Sequence, residues 1–403
     1  MGILAGKHVV LGVSGSIASY KVIELARQLT VAGALVDVIL TEEAARFITP
    51  LTFQSLTYRP VYTEMWSTLE NAAAHIKLGH DADVVVIAPA TAHTIASIAA
   101  GFANNLILTT VLATGAPVLL APAMETHMWH NPATTDNVAL LRRRGLHVME
   151  PDEGMLASGM VGSGRLPEIA RIEVEIRKLL GRRFGRMAGR KVVVTAGGTH
   201  EPLDPVRFIG NRASGQMGFA LAEAARDEGA QVVLIAGQTT APLPQGVDVV
   251  RVETAGQMHD AVHAAIDDAD LLIMNAAVAD YRPAQMAEHK MKKTETDLTI
   301  ALERTTDILQ SLVATTQPIK VGFAAETNDL LTYAADKMRR KGLDAIVAND
   351  AVSSIGQSEI EVTLLTSDGG SERLPRQPKP AAAQQILERV LHKWPDRLGP
   401  KTS

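Results

Sequence analysis

Short runs of β-branched and aliphatic residues alternate along this chain with segments whose apolar residues recur at helical spacing. Such runs occupy residues 8–12, 36–40, 84–88 and 118–121, and residues 21–32 place valine, alanine and leucine on one side of a predicted helix. Apolar runs of this length between helical segments are typical of buried strands in a parallel sheet covered by helices on both faces. The first half is therefore predicted to have an α/β fold.

The same alternation begins again after the middle of the chain. Residues 168–180 predict a helix, residues 181–190 are rich in glycine and arginine and predict a linker, and residues 191–195 predict the first strand of a second unit. Further strands are predicted at 232–236, 271–274, 320–323 and 344–347, with a hairpin formed by 360–365 and 372–374. These predictions divide the chain into domains at 1–186 and 187–403.

The composition limits the classes of partner. Of the 403 residues, 46% are hydrophobic and 21% are charged, with a net charge of -5, which predicts a globular protein without a basic surface for nucleic acid. No polybasic run and no apolar stretch of about 18 residues predicts contact with a membrane. The first residues lack a signal-peptide pattern, so the expected location is the cytoplasm. The sequence has no cysteine, which excludes disulfides, thiolate metal sites and cysteine nucleophiles.

Small and polar residues follow the predicted strands of the first half. The segment GVSGSIA at 12–18 leads from a strand into a helix, and such a turn lets backbone N–H groups reach a phosphate, although an ordinary tight turn explains it equally well. A Walker-type phosphate loop is absent. Two more segments, 88–94 and 121–132, lie where open α/β sheets bind ligands. His75 precedes the third strand, and a lone histidine is usually a surface or core residue.

Five motifs of the first half carry a family resemblance. They are GVSGSIA at 12–18, His75, PATAHT at 89–94, PAM at 122–124 and ASGMVGSGR at 157–165. In this order and spacing they resemble the flavoprotein family of cysteine decarboxylases, most closely its phosphopantothenoylcysteine decarboxylases. The resemblance implies a flavodoxin-like domain that binds FMN, a trimer with shared active sites, catalysis by His75 and a substrate clamp at 151–167. The residues implied to bind FMN are Ser14, Gly15, Ser16, Thr41, Ala88, Thr91 and Thr94.

Two residues depart from the family pattern. Glu125 stands where the family has an asparagine that binds the substrate carboxylate, and a second carboxylate repels it unless protonated or turned away. Ser158 stands where the family has a cysteine that protonates the enethiolate, and a serine hydroxyl is a far weaker acid. Both positions are candidate catalytic residues, and a degenerate flavin domain is an open alternative.

The implied reaction suits a flavin. Loss of CO2 from a simple carboxylate leaves a carbanion whose charge cannot delocalise. If FMN first oxidises the thiol-bearing carbon to a thioaldehyde, the carbanion becomes conjugated with C=S, and the reduced flavin can return the hydride. The cofactor then supplies the difficult chemistry, while the protein supplies position and proton transfer.

Polar loops also follow the strands of the second half. The segments 194–199 and 201–215 follow its first strand and lead into a helix, which suits a phosphate. A Rossmann turn for NAD(P) is the alternative, although a strict GxGxxG is absent. Asp280 follows a buried strand, and the lysine run at 290–293 suits a triphosphate with a divalent cation, although most lysine runs are solvated faces.

A second resemblance rests on five further motifs. They are EPLDPVRFI at 201–209, SGQMG at 214–218, AVADYRP at 277–283, KMKK at 290–293 and GFAAET at 322–327. These resemble phosphopantothenoylcysteine synthetases, which implies a Rossmann-like ligase domain with Asn211 at the reacting acyl centre. Magnesium is implied on the CTP phosphates, with Asp280 as a candidate ligand. The residues implied to contact CTP are Asp280, Lys290, Thr306, Asp307, Ile308, Leu309, Phe323, Lys337 and Lys341.

The two resemblances cover residues 5–395 and predict an enzyme with two activities in coenzyme A synthesis. Its substrates would be 4′-phosphopantothenate, cysteine and CTP, and its oligomer would combine flavin-domain trimers with ligase-domain dimers. One departure, TTDI at 305–308 in place of the common NPDI, keeps its aspartate. The open alternatives are an NAD(P)-dependent oxidoreductase and a ligase with a degenerate flavin domain. A peptide-cysteine decarboxylase is disfavoured because it needs no ligase half.

Overall fold

The computed structural model describes residues 2–65, 74–292, 298–326, 329–350, 354 and 356–401. The chain divides into two units, Met1–Leu180 and Gly181–Ser403. The domain boundary predicted between residues 186 and 187 stays a prediction. No helix among the described residues is both long and apolar enough to cross a membrane.

The described part of the first unit is built on a parallel sheet. Its strands are β1 (His8–Val13), β2 (Leu35–Leu40), β3 (Val61–Tyr62), β4 (Val84–Ala90), β5 (Val118–Pro122) and β6 (His147–Val148). The order across the sheet is β3-β2-β1-β4-β5-β6, and every pair is parallel. Without the two-residue edge strand β3, this order is that of flavodoxin-like folds. The predicted flavodoxin-like fold is confirmed.

Alternation along the strands explains the two layers of helices on this sheet. In β1, Val9 and Leu11 are buried in one core cluster, while Val10 is buried in the cluster on the opposite face. Each fully buried aliphatic side chain contributes about 1.5–3 kcal/mol. The helices are α1 (Ser19–Val31), α2 (Glu42–Ala45), α3 (Pro50–Thr57), α4 (Ala74–Asp81), α5 (Ala92–Ala100), α6 (Leu106–Ala113), α7 (Thr126–Trp129), α8 (Pro132–Arg143) and α9 (Ile169–Phe184).

Two features of the first unit differ from the sequence prediction. The helix predicted at 168–180 continues as α9 to Phe184, so the first four residues of the predicted linker are helical. Glycine at 181 carries only a modest helical penalty, which neighbouring packing overcomes. The second feature is an antiparallel hairpin, β7 (Asp152–Met155) and β8 (Val161–Arg165), within the predicted clamp. Its glycine-rich sequence lacks the alternation that predicts strands.

The second unit has a larger sheet, with strands β9 (Lys191–Ala196), β12 (Gln231–Ala236), β13 (Asp248–Arg251), β14 (Leu271–Met274), β17 (Ile319–Glu326), β18 (Ala345–Asp350), β19 (Glu359–Thr366) and β20 (Ser371–Pro378). Their order is β13-β12-β9-β14-β17-β18-β19-β20. The first six are parallel in the Rossmann order, and β19 and β20 add an antiparallel hairpin. The predicted Rossmann-like domain with a hairpin is confirmed.

Helices and two short ribbons complete the second unit. The helices are α10 (Gln216–Asp227), α11 (Ala255–Ile266), α12 (Ile308–Ser311), α13 (Leu330–Arg340), α14 (Lys379–Lys393) and α15 (Pro395–Leu398). The ribbons pair β10 (His200–Pro202) with β11 (Phe208–Gly210), and β15 (Tyr281–Pro283) with β16 (Leu302–Arg304). Each ribbon follows a central strand, so both lie at the carboxyl edge of the sheet, where ligands bind.

The terminal hairpin contains a bulge. Val362 of β19 pairs with Leu374 of β20, whereas Ile360 pairs with Gln377, so β20 has one extra residue between these pairs. Pro375 lies in that interval and has no backbone N–H to donate to a neighbouring strand.

Candidate active sites

The hydroxyl of Ser14 joins the loops that follow two neighbouring strands. Ser14 is buried just after β1, and its Oγ donates to the carbonyl of Pro89 at 2.6 Å and accepts from the N–H of Thr91 at 3.1 Å. Strands β1 and β4 pair at the centre of the sheet, where doubly wound folds bind ligands. The structure therefore brings Ser14, Ala88 and Thr91, three predicted FMN-binding residues, to one edge of the sheet.

The turn between β1 and α1 offers free backbone donors. The N–H groups of Gly15, Ser16 and Ile17 make no hydrogen bond to another described residue. Free N–H groups at the start of a helix attract an anion by hydrogen bonding and through the helix dipole. A side chain at position 15 is excluded because its Cβ would lie 2.3 Å from Cβ of Glu43. The residues present therefore fit the phosphate of FMN.

Threonines predicted to bind FMN cap two helices at the same edge. Thr41 follows β2, and its Oγ1 accepts from the N–H of Ala44 at 3.1 Å at the start of α2. Thr91 caps α5, its Oγ1 accepting from the N–H of Thr94 at 3.3 Å, and the two threonine hydroxyls lie 3.0 Å apart. These caps fix the loops after β2 and β4.

His75 lies in the first turn of α4. Its Nδ1 is buried and has no hydrogen-bond partner among the described residues. Leaving a buried polar atom unpaired costs about 1–3 kcal/mol, so this nitrogen is a candidate for contact with a ligand or a transferred proton. None of the described contacts joins His75 to Glu125 or Ser158, and residues 66–73, which precede α4, lie outside the described residues.

The Glu125 carboxylate is turned onto the start of α7. Its Oε2 accepts from the N–H of His127 at 2.7 Å and of Met128 at 3.4 Å, and its Oε1 lies 3.0 Å from Nδ1 of His127. Burial alone would raise the pKa of Glu125, but these hydrogen bonds outweigh it and hold the pKa below its usual value. The Glu125 carboxylate is therefore engaged with the first turn of α7.

The base of the β7–β8 hairpin packs against the segment that contains Glu125. Met124 donates its N–H to the carbonyl of Gly164 at 2.9 Å, and a Cβ on Gly164 would lie 2.3 Å from the Met124 carbonyl oxygen. Ser163 Oγ lies 2.8 Å from Nε2 of His130. Ser158 is exposed in the turn at the far end of the hairpin. The hairpin within the predicted clamp is therefore anchored beside Glu125 and carries Ser158 at its tip.

A cavity of about 760 Å³ opens at the carboxyl edge of the second sheet. The predicted CTP residues that line it are Asp280, Thr306, Asp307, Ile308, Leu309, Phe323, Lys337 and Lys341. Lys290 is not among the lining residues. Lys293 and Thr327, which belong to the predicted motifs, lie outside the described residues.

Two lysines, Lys337 of α13 and Lys341 at its C-cap, make polar contacts in one wall of the cavity. Lys341 forms an ion pair with Asp307, and Lys337 Nζ donates to the carbonyl of Phe323 at 2.8 Å. Burial alone would raise the pKa of Asp307, but the bond from Lys341 and the N–H of Gln310 hold it below its usual value. This wall of the cavity therefore contains two lysine ammonium groups and one carboxylate, which an ion pair and hydrogen bonds hold in place.

Threonine hydroxyls hold the loop after β14 against the end of β9 and the loop that follows it. Thr195 Oγ1 accepts from the N–H of Ala276 at 3.1 Å, and Thr199 Oγ1 accepts from the N–H of Ala279 at 2.8 Å. Asn211 Nδ2 lies 3.2 Å from the carbonyl oxygens of both residues 277 and 278. The amide donor of Asn211 is thus engaged with the wall of the cavity.

The loop that carries Lys290 is tied to the loop after β10. Asp204 is buried, and its carboxylate accepts from the N–H groups of Val206 and Arg207 at 2.8 Å and of Met291 at 3.1 Å. Burial alone would raise the pKa of Asp204, but these backbone donors hold it below its usual value. Asp204 was not predicted as a site residue, although it lies within the EPLDPVRFI motif.

Comparison with known proteins identifies both halves. Residues 3–181 match the flavoprotein family model, and residues 187–393 match the model of the DNA/pantothenate metabolism flavoprotein C-terminal domain. The coenzyme A biosynthesis bifunctional protein of Mycobacterium tuberculosis (strain H37Rv) is 46% identical over 404 residues, 96% of each chain. The Bacillus subtilis (strain 168) protein of that name is 42% identical over 398 residues, 96% of this chain and 97% of the relative. The chain belongs to this bifunctional family.

A solved structure is similar in sequence to one half of the chain. The crystal structure of the C-terminal domain of a coenzyme A biosynthesis bifunctional protein is 39% identical, covers 52% of this chain and 97% of its own, and has a TM-score of 0.45. The family predicted from the motifs is confirmed by the full-length relatives.

Sequence reasoning missed two features of this member of the bifunctional family. The hydroxyl of Thr305, in the TTDI segment, donates to the carbonyl of Ala279 at 2.6 Å and so links two walls of the cavity. Lys379 lines the same cavity although it lies far along the chain from every quoted motif. The prolines on either side of it, Pro378 and Pro380, favour a helix start there but do not indicate a site.

Proposed function

We propose that this chain catalyses two consecutive steps of coenzyme A synthesis. The second unit joins 4′-phosphopantothenate to cysteine with CTP, and the first unit decarboxylates the product to 4′-phosphopantetheine with FMN. The observation that carries the ligase assignment is the clustering of eight of the nine predicted CTP residues around one cavity. The relatives of the bifunctional family, alike over the whole chain, support the pairing of both steps.

The ligase converts a poor acyl donor into a good one. An oxygen of the substrate carboxylate attacks the α-phosphorus of CTP, and the bond to pyrophosphate breaks, giving an acyl-cytidylate. The amine of cysteine then attacks the acyl carbon, loses a proton, and CMP leaves. Lys337 and Lys341, with Lys290 from its anchored loop, stabilise the negative charge that develops on the phosphates.

Asn211 has a positioning role in this proposal. Its amide donates to the loop carbonyls at residues 277 and 278, so it orients the wall beside the acyl group. A substrate oxygen that develops negative charge can compete for the same N–H donors. The assignment of Asn211 to the acyl centre rests on the resemblance and on this location.

The described part of the ligase site offers few protein ligands for magnesium. No group of three or more acidic or imidazole side chains suited to a metal ion occurs among the residues that the structure describes. Asp307 is paired with Lys341, which leaves Asp280 as the acidic candidate in the cavity wall. We propose that the CTP phosphates supply most magnesium ligands, as is common for this cation.

In the first unit, the residues around Ser14 would hold FMN, which when bound oxidises and later re-reduces the carbon next to the substrate sulfur. The N–H groups of residues 15–17 would bind its phosphate. His75 accepts a proton early in the reaction, and Ser158 relays one to the product at the end. Glu125 is ionised at neutral pH and is therefore a poor acid for that final step.

The assembly proposed from the resemblance is a cytoplasmic homo-oligomer of flavin-domain trimers and ligase-domain dimers. It would act on small molecules, without nucleic acid or membrane partners. In a trimer, the partner of the buried Nδ1 of His75 would come from bound ligand or a second copy of the chain.

The two activities can be tested together by product analysis. Purified protein given 4′-phosphopantothenate, cysteine, CTP and magnesium should form CMP, pyrophosphate and 4′-phosphopantetheine, identified by mass spectrometry. Omission of CTP should prevent all three. Accumulation of 4′-phosphopantothenoylcysteine without CO2 release would show an active ligase with an incomplete decarboxylase. Reduction of NAD(P) in place of these products would support the oxidoreductase alternative.

The Ser14→Ala variant should bind FMN more weakly. It removes the hydroxyl that joins Pro89 and Thr91, and loss of a buried hydrogen-bonding group costs about 1–3 kcal/mol, so the dissociation constant should rise roughly tenfold. Fluorescence titration of FMN into stripped protein measures this, with Ser163→Ala in the clamp as the control. Equal affinities for Ser14→Ala and the unmodified protein would contradict the assigned flavin site.

A further inference from the structure

Lys379 is a buried lysine in the wall of the ligase cavity. It is the first residue of α14, follows the end of β20, and is 5% exposed. A lysine ammonium is almost never fully buried without a partner, because loss of its hydration is costly. Its burial therefore implies that some other group compensates its positive charge.

The described residues provide little compensation. Lys379 Nζ has one long hydrogen bond, 3.4 Å to Oε1 of Gln216, and no ion pair with a described carboxylate. Burial lowers the pKa of Lys379, with no opposing acidic neighbour. Lys320, another buried lysine of this unit, differs because its Nζ donates to the carbonyls of Leu312 and Thr315 at 3.0 Å each.

The surroundings of Lys379 favour an anion. Gln216 is the first residue of α10, a helix of 12 residues, and Gly215 before it has φ +81°. The N–H groups of Met217 and Gly218 in the first turn make no hydrogen bond to any residue in the described ranges. Gly215, Gln216, Met217 and Lys379 all line the cavity. A cation and free helical donors therefore face one space.

We propose that Lys379 binds a phosphate group of a ligase substrate, together with the first turn of α10. The proposal rests on the ligase function proposed above. Two substrates carry such a group: CTP in its triphosphate, and 4′-phosphopantothenate in its phosphate ester. The described residues place no negative charge beside Lys379 Nζ, and the phosphate of either substrate would supply one. Gln216 holds the ammonium in position until the substrate binds.

Binding measurements with Lys379→Met and Lys379→Arg test this assignment. Isothermal titration with CTP, CMP and pyrophosphate separates triphosphate contacts from those of the nucleoside. If Lys379 contacts the triphosphate, Lys379→Met should weaken CTP and pyrophosphate binding about tenfold to hundredfold and leave CMP binding unchanged. If it contacts the ester phosphate, the KM for 4′-phosphopantothenate should rise by a similar factor while CTP binding stays unchanged. Lys379→Arg should recover most of either loss.

The control removes a charge from the same helix outside the cavity. Lys393 pairs with Asp368 near the end of α14, so Lys393→Met should change none of these constants. Thermal unfolding establishes that each variant is folded, and Lys379→Gln replaces Lys379→Met if the latter is not. Unchanged binding and KM in a folded variant without the Lys379 charge would overturn the proposal. If the unmodified protein failed to bind CTP, the nucleotide assignment would fail, and titrations with pyrophosphate and with 4′-phosphopantothenate would still decide the role of Lys379.

Discussion

The His75→Asn variant should leave bound flavin oxidised when phosphopantothenoylcysteine is added. His75 Nδ1 is buried and unpaired among the described residues, which suits a group that accepts a proton from the substrate. Proton transfer by a positioned side chain typically contributes about 10²–10⁴-fold to a rate. Asparagine has similar polarity but does not take a proton at neutral pH, so flavin reduction should slow by at least that factor. Stopped-flow absorbance of the flavin measures it.

The matched control for this experiment is His80→Asn. His80 lies on the same helix, α4, but is exposed in its last turn. This variant should reduce flavin at the unmodified rate, and FMN titration should give equal affinity for both variants. Flavin reduction by His75→Asn at the rate of the His80→Asn control would remove His75 from the catalytic residues.

The Ser158→Ala variant should stall after CO2 is lost. Ser158 lies exposed at the tip of the β7–β8 hairpin, and its proposed role requires its hydroxyl to reach the product carbon. Without the hydroxyl, the last proton transfer should slow by about 10²–10⁴-fold, leaving reduced flavin and an oxidised enethiol. The reciprocal variant, Ser158→Cys, has a much stronger acid at this position and should complete turnover at least as fast as the unmodified protein.

Mass spectrometry of the product, with flavin absorbance, separates the outcomes for Ser158. The Ser163→Ala variant, in the same hairpin but bonded to His130, serves as the control and should complete turnover. Complete turnover by Ser158→Ala would show that the proton comes from another donor, with solvent as the next candidate. A stall in the unmodified protein that Ser158→Cys relieves would show that the serine makes the first unit an incomplete decarboxylase.

Periodicity predicted the sheets well because buried strands need continuous apolar residues. The predicted strand at 271–274 coincides with β14, and those beginning near residues 8 and 191 differ from β1 and β9 by one residue at most. Short strands such as β3 and β6 have two residues each, too few to carry a pattern. The two ribbons of the second unit form by pairing between segments that a loop separates. No local sequence pattern predicts such pairing.

Site residues were predictable from the sequence where they belong to a motif that follows a predicted strand. They were less predictable where their position depends on tertiary contacts. Asp280, in the loop after β14, and Phe323, within β17, belong to quoted motifs and line the cavity. Lys290 does not line the cavity, and the N–H of the next residue, Met291, donates to Asp204 in a loop distant in sequence, a tertiary contact that no local pattern predicts. The burial of Lys379 depends on how α14 packs beside α10, so a single lysine after a proline could not reveal it.

The bulge in β20 has a consequence for the behaviour of the protein at high concentration. An exposed edge strand is a template on which another chain can add by backbone pairing, the first step of many aggregates. Here Pro375 lacks the N–H that an incoming strand needs, and the extra residue bends the ladder beside it. Arg373 and Arg376, paired with Glu361 and Glu359, add fixed charges along the same edge. The β20 margin of the larger sheet therefore carries a bulge, a proline and paired charges, features that oppose edge-to-edge pairing with another chain.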